Sequence, residues 1–195
     1  MVASRSPGRR EILELLGVRF VVRPSEFAEV EEGPAEGVAV ANAIGKARAV
    51  AREEGEVVLG VDTVVELGGR LWGKPGDAGE ARATLRALSG ETHTVVSGVA
   101  LLSGFSEATA TCATAVRFRA LDDATVDWYL ATGEWRERAG GYAIQGAGCA
   151  LVAAIDGDWT NVVGLPVATL LALAPDLLGW CNNVFSDGDP AELQP

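Results

Sequence analysis

An α/β fold with a mixed sheet is predicted by three features of the chain. Helical and strand periodicities interleave, the run Val57 to Val65 is almost continuously β-branched or aliphatic, and two strand patterns, His93 to Leu102 and Glu107 to Arg119, follow one another directly. The 195 residues, 48% hydrophobic, suffice for one core. A single domain over 1–180 is expected, with 181–195, polar and holding Pro and Gly, as a flexible tail.

Taken in order, Ser6 and Pro7 start a helix, because Ser is a favoured N-cap and Pro suits the first turn; Ile12, Leu13, Leu15 and Leu16 follow and Gly17 stops it. A short strand is expected from Val18 to Val22, then an acidic loop with Glu26, Glu29, Glu31 and Glu32. Val38 to Glu54 reads as a helix, with Val40, Ile44, Ala47 and Ala51 on one apolar face and Lys46 and Arg48 near its border. Val57 to Val65 reads as a strand buried on both faces. Gly68-Gly69 turns the chain, and a helix carrying Ala81, Leu85 and Leu88 ends at Ser89-Gly90. In Glu107 to Arg119, Ala108, Ala110, Cys112, Val116 and Phe118 share one parity, with Thr114 the single break, against Thr109, Thr111, Arg117 and Arg119 on the other, the pattern of a half-buried strand. Asp122 and Asp123 cap a helix with Val126, Tyr129 and Leu130. Two strands are expected around a Gly146 to Gly148 turn, and a last helix from Pro166 through Leu173.

Several function classes are disfavoured. The net charge of −11 and a pI near 4.5 oppose a long nucleic acid as partner, whose binding needs many Lys and Arg contacts to phosphate. A small anion remains compatible if local cations or a divalent metal offset the global charge. No run is long enough to span a membrane, and the N-terminus meets Arg5, Arg9 and Arg10 early, so a cytoplasmic protein is expected. Cys112, Cys149 and Cys181 form no CxxC pair, and His93, taken as structural, is the only histidine; zinc and Cys/His chemistry are disfavoured. Neither a GxSxG elbow nor a GxxxxGK[ST] loop is present.

Asp62 is the most informative residue. A carboxylate inside a buried strand costs several kcal/mol, on the order of the desolvation of an unpaired charge, unless a cation or hydrogen bonds compensate it. The plainer alternative is a strand-end residue capping a turn. Around it, Ser4 to Arg10 offers a helix N-terminus with arginines for a phosphate, or a capped surface helix with solvated arginines. Lys46 and Lys74 are either anion-binding or solvated. Glu29 either joins Asp62 in holding Mg²⁺ or Mn²⁺ or belongs to an exposed acidic loop. Gln145 either reads a base edge or satisfies neighbouring backbone.

Together these segments resemble the Maf family of nucleotide pyrophosphatases over nearly the whole chain up to about Leu173. The matching pieces are Ala3-Ser4-Arg5-Ser6-Pro7 with Arg9 and Glu11, Val61-Asp62-Thr63-Val64-Val65, Lys74-Pro75, Leu88-Ser89-Gly90 with His93, Ala139-Gly140 with Tyr142, Gln145-Gly146, and Val163-Gly164-Leu165-Pro166. The resemblance implies a mixed, mostly antiparallel long central sheet with flanking helices and two lobes around a cleft, like the inosine triphosphate pyrophosphatases. It also implies a homodimer, and hydrolysis of nucleoside triphosphates between the α and β phosphorus atoms with a divalent metal cation, Mg²⁺ or Mn²⁺. By motif, Asp62 resembles the family's catalytic and metal-binding carboxylate, with Glu29 matching its acidic loop. Arg9, Lys46 and Lys74 resemble its triphosphate-binding cations, with Ser6 at the same turn. Thr63 and Gln145 match the residue types of members favouring dTTP and UTP. Gly8 departs from the family's Ser-Pro-Arg-Arg, which implies weaker or broader pyrimidine selection, on the scale of about 1 to 3 kcal/mol for one charge-assisted hydrogen bond. The competing class is a non-catalytic nucleotide-binding regulator linked to cell division.

Overall fold

The computed structural model describes residues 1–4, 6–50 and 55–179; the proposed tail 181–195, Cys181, Arg5 and the end of the helix expected to reach Glu54 lie outside them. The elements are α1 (Pro7–Leu15), α2 (Ala35–Arg48), β1 (Val57–Leu67), β2 (Arg70–Trp72), α3 (Ala78–Leu88), β3 (Thr92–Ser103), β4 (Ser106–Phe118), α4 (Asp123–Thr132), β5 (Val152–Asp156), α5 (Trp159–Val163) and α6 (Val167–Leu173). The strands form one sheet in the order β2-β1-β3-β4-β5 with every neighbouring pair antiparallel. The parallel component is reduced to isolated bridges of Val2 with Val22 and Leu59. Among the described residues no helix is long and apolar enough to cross a membrane.

β1 is buried on both faces, as its composition predicts, because the two faces meet different layers. Leu59, Val61 and Val65 join Val95, Val99, Val116 and Phe118 in the large core beneath α3, α4 and α6. Val58 joins Ala100, Leu102, Ala43 and Ala47 in a smaller core under α2. The second layer is thin for a steric reason. A Cβ at Gly60 would lie 2.1 Å from the Ala43 carbonyl oxygen, and one at Gly98 would lie 2.4 Å from that of Ala39. Two glycines in adjacent strands therefore let the backbone of α2 settle directly onto the sheet.

This close seating changes which face of α2 is inside. The sequence pattern favours Val40 and Ile44; the structure buries Val38, Ala39, Asn42, Ala43, Lys46 and Ala47, leaving Val40 and Ile44 half-exposed. Ala39, Ala43 and Ala47 take the positions against Gly60 and Gly98, because nothing larger fits there. Lys46 stands in the middle of that face rather than at its border.

Three other expectations change. Val18 to Val22 forms no strand, only the bridge at Val22. The strand expected before Gly146 is replaced by a 3₁₀ turn, Ala139–Gly141, because Gly140 and Gly141 take positive φ (68° and 66°), which an extended strand does not use. A second 3₁₀ turn, Ala147–Leu151, leads into β5, the one strand of that region. The short α5 was not anticipated: Asp158 caps its N-terminus through Thr160 and Asn161, and Gly164 ends it in the left-handed region. Thr114, the break in the parity of β4, is buried on the inner face and its hydroxyl bonds Asn161 and the backbone of Asp158, so the break anchors α5.

His93 is 1% exposed; its Nε2 lies 2.9 Å from the Tyr142 hydroxyl and its ring meets Phe118 edge-on. Burial lowers its pKa to about 4. The unfolded chain takes up this proton near pH 6.5, the folded chain only near 4, so the stability His93 contributes is complete above 6.5 and is lost as pH falls through that window. The loss amounts to about 3 kcal/mol. Urea midpoints at pH 7 and pH 4 should differ by correspondingly less in His93→Gln; an equal pH dependence in both proteins would assign the acid sensitivity elsewhere.

Candidate active site

The cleft, about 520 Å³, opens along the outer edge of β1. Met1 to Ala3 cover that edge at Leu59, and β2 covers it from Val65 onward. Among the described residues no strand pairs the stretch between them. Asp62 and Thr63 sit in that gap and point to opposite faces of the sheet, so a molecule lying over the edge can touch both.

On the α2 face, Asp62 is 5% exposed and lies in mid-strand opposite Gly98, which excludes the turn-capping reading. Its Oδ1 accepts from Lys46 Nζ at 2.5 Å and its Oδ2 from Asn42 Nδ2 at 3.0 Å. The orientation of the Asn42 amide follows from its other bonds. Its Oδ1 accepts from the Val30 N–H at 2.7 Å, so its Nδ2 must face the carboxylate. The same amide donates to the Val30 carbonyl, tying the acidic loop to α2. Within that loop Glu29 turns toward the cleft, 2.8 Å from Lys46 Nζ and 3.7 Å from Lys74 Nζ, while Glu26, Glu31 and Glu32 face solvent.

Burial pushes the Asp62 carboxyl up, but the ammonium of Lys46, the amide of Asn42 and the guanidinium of Arg9 outweigh it and hold the group below its ordinary value. Asp62 is therefore ionised at neutral pH. Asn42 is a residue of the site that sequence reasoning missed. Its signal is positional: Asn42 lies four residues before Lys46, on the same helical face.

On the opposite face, Arg9 is 8% exposed and projects from the first turn of α1. Its Nε donates to the Gly164 carbonyl at 2.7 Å, and its terminal nitrogens to Ser4 Oγ at 2.8 Å and Thr63 Oγ1 at 3.1 Å. Burial lowers its pKa first, with Asp62 and Glu29 opposing; it remains a cation at neutral pH. Thr63 Oγ1 also lies 2.8 Å from Ser97 Oγ, its cross-strand neighbour. Three of five guanidinium N–H donors are thus used internally, fixing Arg9 rigidly with two left for a ligand.

Ser6 occupies the N-cap position of α1 but its side chain makes no capping bond, so its hydroxyl stays available to the cleft it lines. Gln145 lines the cleft and makes no side-chain hydrogen bond among the described residues, which disfavours the backbone-satisfying reading. Gly8 is buried behind it: a Cβ there would lie 2.9 Å from Val163 Cγ1 and 3.1 Å from Gln145 Nε2. Val163 and Gln145 thus fill the space into which a side chain at position 8 would run.

The sequence-selected residues Ser6, Arg9, Glu29, Lys46, Asp62, Thr63, Lys74 and Gln145 all line this one cleft, and Gly8 backs it. Asp62 and Glu29 converge on a single point, which the Lys46 ammonium fills. Among the described residues no group of three His, Cys, Asp or Glu side chains forms a dedicated metal cage. Two carboxylates fit a hard cation that brings phosphate and water oxygens as its other ligands.

Comparison with known proteins identifies the relatives of the chain. The family model described as Maf-like protein matches residues 1–177. The chain is 48% identical over 179 residues to a dTTP/UTP pyrophosphatase of Anaeromyxobacter dehalogenans, covering 89% of this chain and 91% of that one. It is 42% identical over 176 residues to a dTTP/UTP pyrophosphatase of Pyrococcus furiosus (89% and 92% covered). It is 45% identical over 175 residues to one of Deinococcus radiodurans (89% and 90%). With the family model spanning nearly the whole described structure and relatives at 42% to 48% identity along most of their length, this chain belongs to the Maf family.

Proposed function

We propose that this protein is a nucleoside triphosphate pyrophosphatase that hydrolyses dTTP, UTP and related nucleotides at the α–β phosphoanhydride, giving the monophosphate and pyrophosphate. The observation that carries this reading is the ionised Asp62 carboxylate, held in mid-strand by Lys46 and Asn42 in a cleft whose other walls carry Arg9 and Lys74. Relatives named for this activity support it.

In the reaction, Asp62 accepts a proton from the attacking water as its oxygen bonds to the α-phosphorus, and the bond from that phosphorus to the bridging oxygen of the leaving pyrophosphate breaks. Arg9, Lys46 and Lys74 offset the negative charge that gathers on the pyrophosphate. Asn42 keeps Asp62 in one orientation. A Mg²⁺ or Mn²⁺ ion would be held by Asp62 and Glu29 and would supply Lewis-acid neutralisation of phosphate charge. Thr63 and the free amide of Gln145 face the base, and Gly8 offers it no side chain, so selectivity for pyrimidines is expected to be modest. The homodimer belongs to the same proposal and is read by sedimentation.

The test is product identity over a panel of canonical and modified nucleoside triphosphates with Mg²⁺ or Mn²⁺. Pyrophosphate and monophosphate from dTTP and UTP are expected. Orthophosphate with a diphosphate, or no turnover of any nucleotide, would overturn the reading.

A further inference from the structure

One cation in the cleft has no role in the reading above. Arg138 is half-buried and lines the same cleft as Arg9 and Lys74. Among the described residues its side chain has neither an acidic partner nor a hydrogen bond. The other cations of the cleft each have a partner: Arg9 three acceptors, Lys46 both Asp62 and Glu29, and the half-exposed Lys74 a longer contact of 3.7 Å to Glu29. Arg138 also adds positive charge beside Arg9. A protein of net charge −11 that leaves a guanidinium unpaired beside other cations, in a concave site, has built a place for an anion.

The backbone around Arg138 is shaped to deliver it. Glu137 is the single non-glycine residue with positive φ among those described, at 57°, a conformation that disfavours L side chains. Gly140 and Gly141 follow, also at positive φ; Gly140 packs against Val65 of β1 and is hydrogen-bonded to the segment that carries Lys74, and Gly141 packs against that segment. The Gly140 N–H donates to the Gly73 carbonyl at 3.1 Å. A Cβ at Gly140 would lie 2.9 Å from Val65 Cγ2, and one at Gly141 would lie 3.1 Å from Pro75 Cγ. Only glycines allow that approach. The Arg138 loop and the Lys74 loop are thus fastened together, so the two cations belong to one end of the cleft.

We infer that Arg138 is a further substrate-binding residue, which with Lys74 grips the terminal phosphates of the nucleotide and the departing pyrophosphate. This rests on the pyrophosphatase reading for the identity of the anion, and its test is chosen to separate the two. A guanidinium offers two parallel N–H groups to phosphate oxygens, where the lysines offer point charges, so Arg138 orients the chain as well as attracting it.

The experiment measures the dissociation constants of inorganic pyrophosphate and of thymidine monophosphate by calorimetry in Mg²⁺ buffer, for the unmodified chain, Arg138→Gln and Arg138→Lys. Thermal melting and KM for dTTP are measured alongside. Arg138→Gln should weaken pyrophosphate by roughly 10- to 100-fold and raise KM similarly, with monophosphate binding and melting unchanged. Arg138→Lys should fall between, keeping charge but losing the fork. Pyrophosphate affinity within twofold of the unmodified chain, equal weakening of both ligands, or no pyrophosphate binding by the unmodified chain would each overturn the assignment. If the unmodified chain turns over no nucleotide yet binds pyrophosphate through Arg138, the enzymatic reading fails and the anion site stands.

Discussion

Asp62→Asn should lower turnover by about 10³-fold, within the range attributed to a positioned general base, while the sheet stays intact. The substitution keeps the shape but removes the charge. It also creates a local conflict, because Asn42 is locked by Val30 with its Nδ2 toward position 62, where an amide would present a second donor. The new side chain satisfies Asn42 only by turning its own Nδ2 toward the Lys46 ammonium. A stability loss of about 1 to 2 kcal/mol follows from one compromised buried hydrogen bond. Nucleotide binding should survive, since Arg9 and Lys74 are untouched and one negative charge has gone from the site. Rapid-quench turnover, calorimetric affinity and urea unfolding measure the three quantities separately. Turnover close to that of the unmodified enzyme would remove Asp62 from the chemistry. Because the carboxyl is held below its ordinary value, the base stays ionised through mildly acidic pH. Activity lost between pH 6.5 and 4 should therefore track the unfolding linked to His93, whose pKa is lowered to about 4, and appear equally in a folding assay.

Lys46→Met has the second large effect. The side chain keeps most of its stem against the sheet but withdraws the ammonium that stands between Asp62 and Glu29. Removing one partner of a buried pair leaves an uncompensated charge, at a cost of about 3 kcal/mol or more. The sign of its pH dependence is distinctive. Burial already pushes Asp62 up, and without its largest opposing influence the carboxyl rises above its unfolded value. The penalty is then present at neutral pH and shrinks as the folded protein takes up the proton on acidification. Unfolding free energies of the two proteins should converge between pH 7 and 5, and turnover should fall with the misplaced base. A stability difference that is absent at pH 7, or constant across that range, would show that Asp62 does not depend on Lys46.

Much of the site was readable from the chain because its chemistry breaks local rules. Asp62 interrupts an apolar strand, Pro7 and Ser6 mark a helix start beside Arg9, and Lys74 follows a short strand before Pro75. Asn42 and Arg138 were not readable in this way. An asparagine within a helix and an arginine within a loop are ordinary in composition, and each acquires meaning only from what faces it. The same holds for the face of α2. Periodicity weighs Val40 and Ile44 by hydrophobicity, whereas the inner face was chosen by size, because Gly60 and Gly98 bring the sheet within reach of the helix backbone.

By itself, the sequence determined the α/β class, the long strands β1, β3 and β4, the helices α1 to α4 and α6, and eight of the polar and charged residues that line the cleft. These follow from short-range causes: side-chain alternation, caps, turn glycines and a charge inside an apolar run. Only the tertiary structure decided that the outer edge of β1 stays open between Ala3 and β2, that Asp62 is clasped by Lys46 and Asn42, and that the Arg138 and Lys74 loops are joined. Each of these depends on which segments distant in sequence approach within hydrogen-bond or van der Waals range, and that is set by packing across the sheet rather than by any local pattern.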